Sequence, residues 1–149
     1  MKKLTKIIKN QKGLTLIELL AVIVILAIVA AIAVPAVGNI IENSKFNAAK
    51  ADASNVLNAA QLYLTENPNG PSGDTGTTVT VQNLIDNKFL ESAGKVPVTA
   101  TITKAKPHKL TATFEYTSGK NAIFTGASLE GIAKDVQKGS DANHKTINN

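Results

Sequence analysis

The sequence contains no cysteine, no tryptophan and no arginine, and aromatic residues make up only 4% of its 149 residues. Without cysteine no disulfide can close a small extracellular domain, so a folded head must be held by its hydrophobic core. Hydrophobic residues nevertheless reach 44%, which is ordinary for a folded protein. The length suits one modest domain and an appendage.

Acidic residues are missing from the first thirteen positions, which hold five of the sixteen basic residues, all of them lysines. These lysines are Lys2, Lys3, Lys6, Lys9 and Lys12. The remaining eleven lysines are balanced by eleven acidic residues, so the net charge of +5 resides in the N-terminal segment. No basic patch interleaved with aromatic residues follows it, and the sequence therefore predicts no direct nucleic-acid site.

An uncharged apolar block runs over residues 19–37 and is preceded by a single acid, Glu18. As a helix rising about 1.5 Å per residue, this block would span the hydrocarbon core of one bilayer. The preceding lysines would stay on the cytoplasmic side, which places the chain from Pro35 onward outside. The small residues of Ala31-Ile-Ala33 also fit signal-peptidase cleavage, so an ordinary signal peptide is an alternative.

Helical periodicity continues beyond the apolar block to about Asn67. Pro35 and Gly38 are both costly inside a helix, so we expect a kink or a melted turn over residues 33–40. Two apolar sets follow the helical period: Val37, Ile41, Ala48, Val56, Ala59 and Tyr63, and, further round, Phe46, Ala49, Ala53, Leu57, Ala60 and Leu64. Together they cover more than one sheet requires, which favours a second packing partner.

The second half of the sequence has the patterns of an antiparallel sheet. Residues 68–78 are rich in proline, glycine and serine and predict an exposed loop, and residues 81–92 predict a short amphipathic helix. Three runs of alternating or β-branched residues predict a meander: residues 98–105, 109–116 and 121–126. Residues 137–149 are polar, and we expect them to be frayed.

Residues that could carry chemistry are few. His108 and His144 are far apart and lack partners at metal-ligand spacing, so surface histidines are expected. Asp74 lies in GDTGTT, where the further ligands of a calcium loop are missing and a plain turn is expected. The sequence therefore predicts no catalytic residue, no cofactor and no metal site.

Gly13 followed by LTLIE resembles the prepilin signature of the type IV pilin family, which has a basic leader, a glycine, a hydrophobic residue and then a glutamate. Leu14 stands where that family usually has phenylalanine, and both residues are large and apolar. Pro35 also matches the family pattern. Because the chain lacks the cysteine pair of many pilins, it is similar to the cysteine-free type IV pilins of Gram-positive bacteria.

The resemblance implies an α+β fold, in which a long N-terminal helix packs its second half on a small antiparallel sheet. It also implies three segments: a leader over residues 1–13, an apolar membrane and assembly helix over residues 14–38, and a head over residues 39–149. Cleavage would separate Gly13 from Leu14, and Leu14 would be N-methylated. Glu18 would pair with the free amine of Leu14 in the same or the next subunit. Pro35 and Gly38 would mark a helix break in the filament.

The implied function is that of a structural subunit, the major pilin of a type IV pilus. Its partners would be prepilin peptidase, the pilus assembly machinery and copies of itself in a helical filament. The precursor would lie in the cytoplasmic membrane with its head outside, and the filament would be extracellular and serve adhesion, twitching motility, biofilm formation or DNA uptake. One alternative is a pseudopilin of a type II secretion or competence machine. Another is a secreted or membrane-anchored soluble binding domain.

Overall fold

A computed structural model describes residues 15–71, 76–142 and 144–148 of the protein. The chain divides into two compact units, Met1–Val37 and Gly38–Asn149. The elements follow in the order α1 (Leu16–Glu66), β1 (Thr78–Thr80), α2 (Val81–Asp86), β2 (Thr101–Thr103), β3 (Leu110–Thr117), β4 (Lys120–Ala127), α3 (Leu129–Lys134) and β5 (Lys145–Asn148). The predicted α+β class, a long N-terminal helix with a small sheet, is confirmed.

Helix α1 is continuous for 51 residues and includes Pro35. The melted turn that we expected over residues 33–40 is therefore not present in the single chain. Proline removes one backbone donor, but extending an existing helix adds one bond per residue fixed, so a single loss need not interrupt it. Among the described residues, α1 is also the one helix long and apolar enough to span a membrane.

The second half of α1 carries the helical part of the core. Its buried residues are Phe46, Ala49, Ala53, Val56, Leu57, Ala59, Ala60, Tyr63 and Leu64. The second predicted apolar set is thus buried in full, whereas Val37, Ile41 and Ala48 of the first set are exposed. Burial begins at Phe46, whose ring lies 5.2 Å from that of Tyr116 in β3, because the apolar packing of helix on sheet begins there.

The sheet has five strands in the order β1-β2-β3-β4-β5. Neighbouring strands are antiparallel except β4 and β5, which are parallel. The predicted meander of β2, β3 and β4 is confirmed, while β1 was not predicted and begins at Thr78, the last residue of the predicted loop. In β3, buried and exposed residues alternate, which points Leu110, Ala112, Phe114 and Tyr116 at the core.

Two predicted elements differ from the structure. Helix α2 ends at Asp86, earlier than the predicted residue 92, because Lys88 adopts a left-handed conformation with φ of 62° that stops the helix. The C-terminal region is not frayed over its described residues, since it forms β5 beside β4 and buries Ile147 in the core. The short helix α3, capped by Ser128, was not predicted.

Candidate functional site

The N-terminus of α1 is built by Thr15 and Glu18. The Thr15 backbone N–H and its Oγ1 hydroxyl both donate to Glu18 Oε2 at 2.8 Å. In return, the Glu18 backbone N–H donates to Thr15 Oγ1 at 3.2 Å. This reciprocal arrangement is a capping box, which satisfies backbone donors that a helix start leaves without partners. Glu18 therefore has a structural role in the single chain that we did not predict, although the T-x-x-E spacing was a signal for it.

The part of α1 that lies in the first unit has an apolar surface on both sides of Glu18. Every large hydrophobic residue from Leu16 to Val37 is at least 48% exposed in the single chain. Burying one such side chain fully contributes about 1.5–3 kcal/mol, so a surface of this size requires a bilayer or other protein chains to cover it. Pro35 lies within this surface, and Gly38 follows it at the start of the second unit. Nothing lies within 4 Å of where a Cβ on Gly38 would be.

Gly13 and Leu14, between which we predict cleavage, lie outside the described residues, as does Asp74. His108 Nδ1 lies 3.0 Å from the carbonyl oxygen of Thr103, and His144 Nδ1 accepts from the backbone N–H of Asn121. The two histidines thus serve separate local contacts. Among the described residues no cluster of three or more metal-ligating side chains is present.

In the second unit, polar contacts attach residues 135–142, which we call the C-terminal strap, to α1. Lys50 Nζ donates to Asp135 Oδ2 at 3.2 Å and to the Asp135 carbonyl oxygen at 3.1 Å. The ammonium also lies 5.1 Å from the centre of the Phe46 ring. Further along, the Ser140 backbone N–H donates to Asn43 Oδ1 at 2.9 Å. The strap is therefore attached to the helix at two levels.

Lys120 and Tyr116 complete this attachment from the sheet. Lys120 Nζ forms an ion pair with Glu42 Oε2 at 2.6 Å and donates to the Ser140 carbonyl oxygen at 3.3 Å. The Tyr116 hydroxyl donates to the Gly139 carbonyl oxygen at 2.8 Å. A side chain at Gly139 would collide with the carbonyl oxygen of Glu42, so the close approach of strap and helix requires glycine. These contacts hold in place a region that has no disulfide.

The polar contacts also affect the titration of Tyr116. Burial raises the pKa of its phenol, and the nearby carboxylates Glu42 and Asp141 raise it further, while Lys120 partly opposes them. The neutral phenol is therefore the form that the folded head favours, consistent with its role as a donor to Gly139. Sequence reasoning missed this cluster because its members are distant in the chain and follow no motif.

The structure thus has a helical segment, residues 16–37, whose apolar side chains are exposed, and an α+β head. Residues 8–34 match the family model described as the prokaryotic N-terminal methylation motif, which is the type IV prepilin signature. The chain therefore carries the signature of a type IV pilin-like or pseudopilin precursor that prepilin peptidase processes. No curated protein and no solved structure matches the chain.

Proposed function

We propose that the protein is the major structural subunit of an extracellular type IV pilus. Prepilin peptidase cleaves the precursor after Gly13, and the new N-terminus, Leu14, is methylated. Copies of the mature chain then polymerise through the apolar part of α1. The observation that carries the proposal is the exposed apolar surface of residues 16–37, most of which lies within the matched methylation motif of residues 8–34.

We propose that this apolar surface is covered first by the bilayer and later by neighbouring subunits. In the precursor, the apolar helix is covered by the bilayer, with the lysine-rich leader inside and the head outside. In the filament, the side chains of neighbouring helices replace lipid around it. A head-to-tail contact between identical chains that does not close on itself generates an open helical filament. We therefore propose a homo-polymer in which the head, residues 39–149, forms the outer surface.

In our proposal, Glu18 fixes the position of each subunit relative to its neighbour in the filament. A carboxylate among apolar side chains is costly unless a partner neutralises it. Cleavage after Gly13 creates such a partner, the free amine of Leu14, four positions before Glu18. Both described hydrogen bonds to the Glu18 carboxylate use Oε2. Within the described residues Oε1 therefore keeps its lone pairs for the amine of an adjacent subunit.

The test is the N-terminus of the mature protein, determined by mass spectrometry of material sheared from cells. The expected product begins with N-methylated Leu14. A Gly13→Val variant should accumulate as the uncleaved precursor, whereas a Lys12→Gln variant, changed one residue earlier, should still be processed. A mature chain that begins at Val34 would overturn the proposal and favour an ordinary signal peptide. Correct cleavage without sheared filaments would favour a pseudopilin over a major pilin.

A further inference from the structure

The turn between β2 and β3, in the head, is rich in basic residues. It has the sequence KAKPHK over residues 104–109, which we call the basic turn. No acidic residue occurs anywhere between Glu91 and Glu115, a stretch that also contains Lys95. Lys95 is directed elsewhere, since its ammonium donates to the Tyr116 carbonyl oxygen. The Lys104 ammonium likewise donates to the Asn69 carbonyl oxygen at 2.7 Å, so Lys106 is the lysine of the basic turn that lines the cleft described next.

Thr103 holds the basic turn in one conformation. Its backbone N–H donates to the Lys109 carbonyl oxygen at 3.0 Å, and its Oγ1 accepts from the Lys109 N–H at 2.9 Å. The Thr103 carbonyl oxygen lies 3.0 Å from His108 Nδ1. Because a carbonyl can only accept, this contact places a proton on Nδ1 and leaves Nε2 for another group. A turn held in this way loses little conformational entropy when it binds a ligand.

Beside the basic turn lies a cleft of about 360 Å³. Leu57 and Leu129 form part of an apolar lining, and Gln61, Lys106, His108 and Glu130 supply polar groups. Clefts with an apolar lining and a few converging polar groups are the usual form of small-molecule sites. The volume suits a compact ligand rather than an extended chain.

The charges around the cleft favour an anion. Glu130 is the one acidic residue in its lining, and its carboxylate is paired with Lys134. Lys50, Lys120 and Lys145 likewise have carboxylate partners. By contrast, Lys106 and Lys109 form no ion pair with any residue in the described ranges, and Lys106 is exposed at the mouth of the cleft. Their positive charge is available to a ligand.

The aromatic residues decide against a nucleobase. Phe46, Tyr63, Phe114, Tyr116 and Phe124 are buried in the core, and Phe89 packs against it. No described ring is therefore exposed as the stacking platform that single-stranded nucleic acid needs. A phosphate carries about two negative charges and strong acceptor oxygens, which suit one ammonium, the Gln61 amide and the imidazole.

We propose that this cleft binds a compact organic phosphate, a phosphate group on a small polyol or sugar. Lys106 pairs with the phosphate, His108 and Gln61 bond to its oxygens or to ligand hydroxyls, and the partly exposed Leu129 contacts the carbon skeleton. The site lies within the second unit and does not depend on whether the chain polymerises. It can therefore be tested on the unassembled full chain.

The experiment is an NMR titration of the ¹⁵N-labelled full chain in neutral-detergent micelles with glycerol 3-phosphate as the probe. The expected dissociation constant is about 1 mM, in keeping with a few exposed charge-assisted bonds. The amides that shift should be those of residues 103–106, 108–109 and 128–130. Lys106→Gln should weaken binding about fivefold, and Gln61→Glu should weaken it through charge repulsion.

Lys45→Gln and Lys138→Gln remove exposed lysines outside the cleft and should leave the titration unchanged. Glycerol should not bind, and inorganic phosphate should bind more weakly than glycerol 3-phosphate. Equal binding of glycerol, or a Lys106→Gln variant that binds as the wild type does, would overturn the proposal. Inorganic phosphate binding as tightly as the probe would also overturn it. Duplex DNA that binds at lower concentration and loses affinity in Lys106→Gln would replace the proposed ligand with a nucleic acid.

Discussion

Thr15 and Glu18 cap the start of α1 reciprocally, with both donors of Thr15 on one oxygen of the Glu18 carboxylate. Helix capping thus explains an acid at this position, in addition to the pairing with a neighbouring subunit that we propose. A capping box accepts glutamine in place of glutamate, whereas a charge pair does not. The two roles can therefore be separated by substitution.

We expect Glu18→Gln to retain the cap and to lose filament assembly. The amine of Leu14 would be left without its counter-charge in an apolar contact, which costs about 3–5 kcal/mol for a buried pair. Thr15→Ala removes the hydroxyl of the cap at a cost of about 1 kcal/mol but keeps the charge, so assembly should persist. Yields are measured by shearing and electron microscopy. Wild-type yield from Glu18→Gln together with loss in Thr15→Ala would show that capping, not pairing, is what assembly needs.

The fragment of residues 39–149 should be soluble, folded and monomeric. Every buried hydrophobic residue of the described chain lies at Phe46 or beyond, so the truncation removes none of the core. The exposed apolar surface of residues 16–37 is removed with the first unit. Circular dichroism and sedimentation test the fold and the oligomeric state. Since the chain has no cysteine, a reducing agent should leave the unfolding midpoint unchanged. Stable filaments from this fragment would contradict the assembly role of the apolar helix.

Lys120→Met should destabilise the head more than Lys134→Met does. Lys120 pairs with Glu42 where the two side chains are 19% and 31% exposed, whereas the Lys134–Glu130 pair is 75% and 73% exposed. Loss of the partly buried partner should cost about 1–2 kcal/mol, and loss of the exposed one at most about 0.5 kcal/mol. Urea unfolding of the two variants measures the difference. Equal midpoints would mean that the ion pair between Lys120 and Glu42 does not stabilise the head.

We expect Tyr116→Phe to lower the free energy of unfolding at neutral pH. As the pH is raised, the variant should lose less of this free energy than the wild type does. Removing the hydroxyl leaves the Gly139 carbonyl without its best donor, at a cost of about 1 kcal/mol. Because burial raises the folded-state pKa of Tyr116 above the unfolded value of about 10, the unfolded chain releases the phenol proton first. The stability that this difference in pKa contributes is fully present below pH of about 10 and is lost as the pH rises through the folded-state pKa of Tyr116. Unfolding midpoints at several alkaline pH values measure the effect, and parallel curves for both proteins would contradict it.

Residues 31–40 should be helical in the unassembled chain and melted in the filament. In the single chain α1 is unbroken there, but Pro35 lacks a backbone donor and Gly38 adds flexibility. Melting lengthens the path of the chain, since an extended residue spans about 3.3 Å and a helical one about 1.5 Å. We expect the map of the filament to show a break in α1 that is limited to these residues. In a Pro35→Ala variant the break should include fewer residues. Continuous helix from Leu19 through Ile41 in the wild-type filament would reject the prediction.

Local sequence patterns predicted several elements of this fold, because such patterns depend only on residues that are close together in the chain. The 3.6-residue period predicted α1, whose observed end at Glu66 lies one residue from the expected one. Alternation predicted β3 and β4, because one face of each strand packs on the core. The same reasoning missed β1 and α3, of three and six residues. It found the equally short β2 and α2 only because they lie within the longer patterned runs of residues 98–105 and 81–92.

The sequence by itself determined the apolar helix, the positive charge of the N-terminal segment and the methylation motif, since these depend on hydrophobicity, charge and the order of neighbouring residues. Only the tertiary structure decided the fate of the polar C-terminal region. Its composition predicts fraying, yet Ile147 is buried beside β4, and Tyr116, Lys120, Asn43 and Lys50 attach the strap. These partners lie up to 97 residues from it in the chain. A polar segment becomes ordered when distant groups satisfy its backbone, and no local pattern encodes which groups those are.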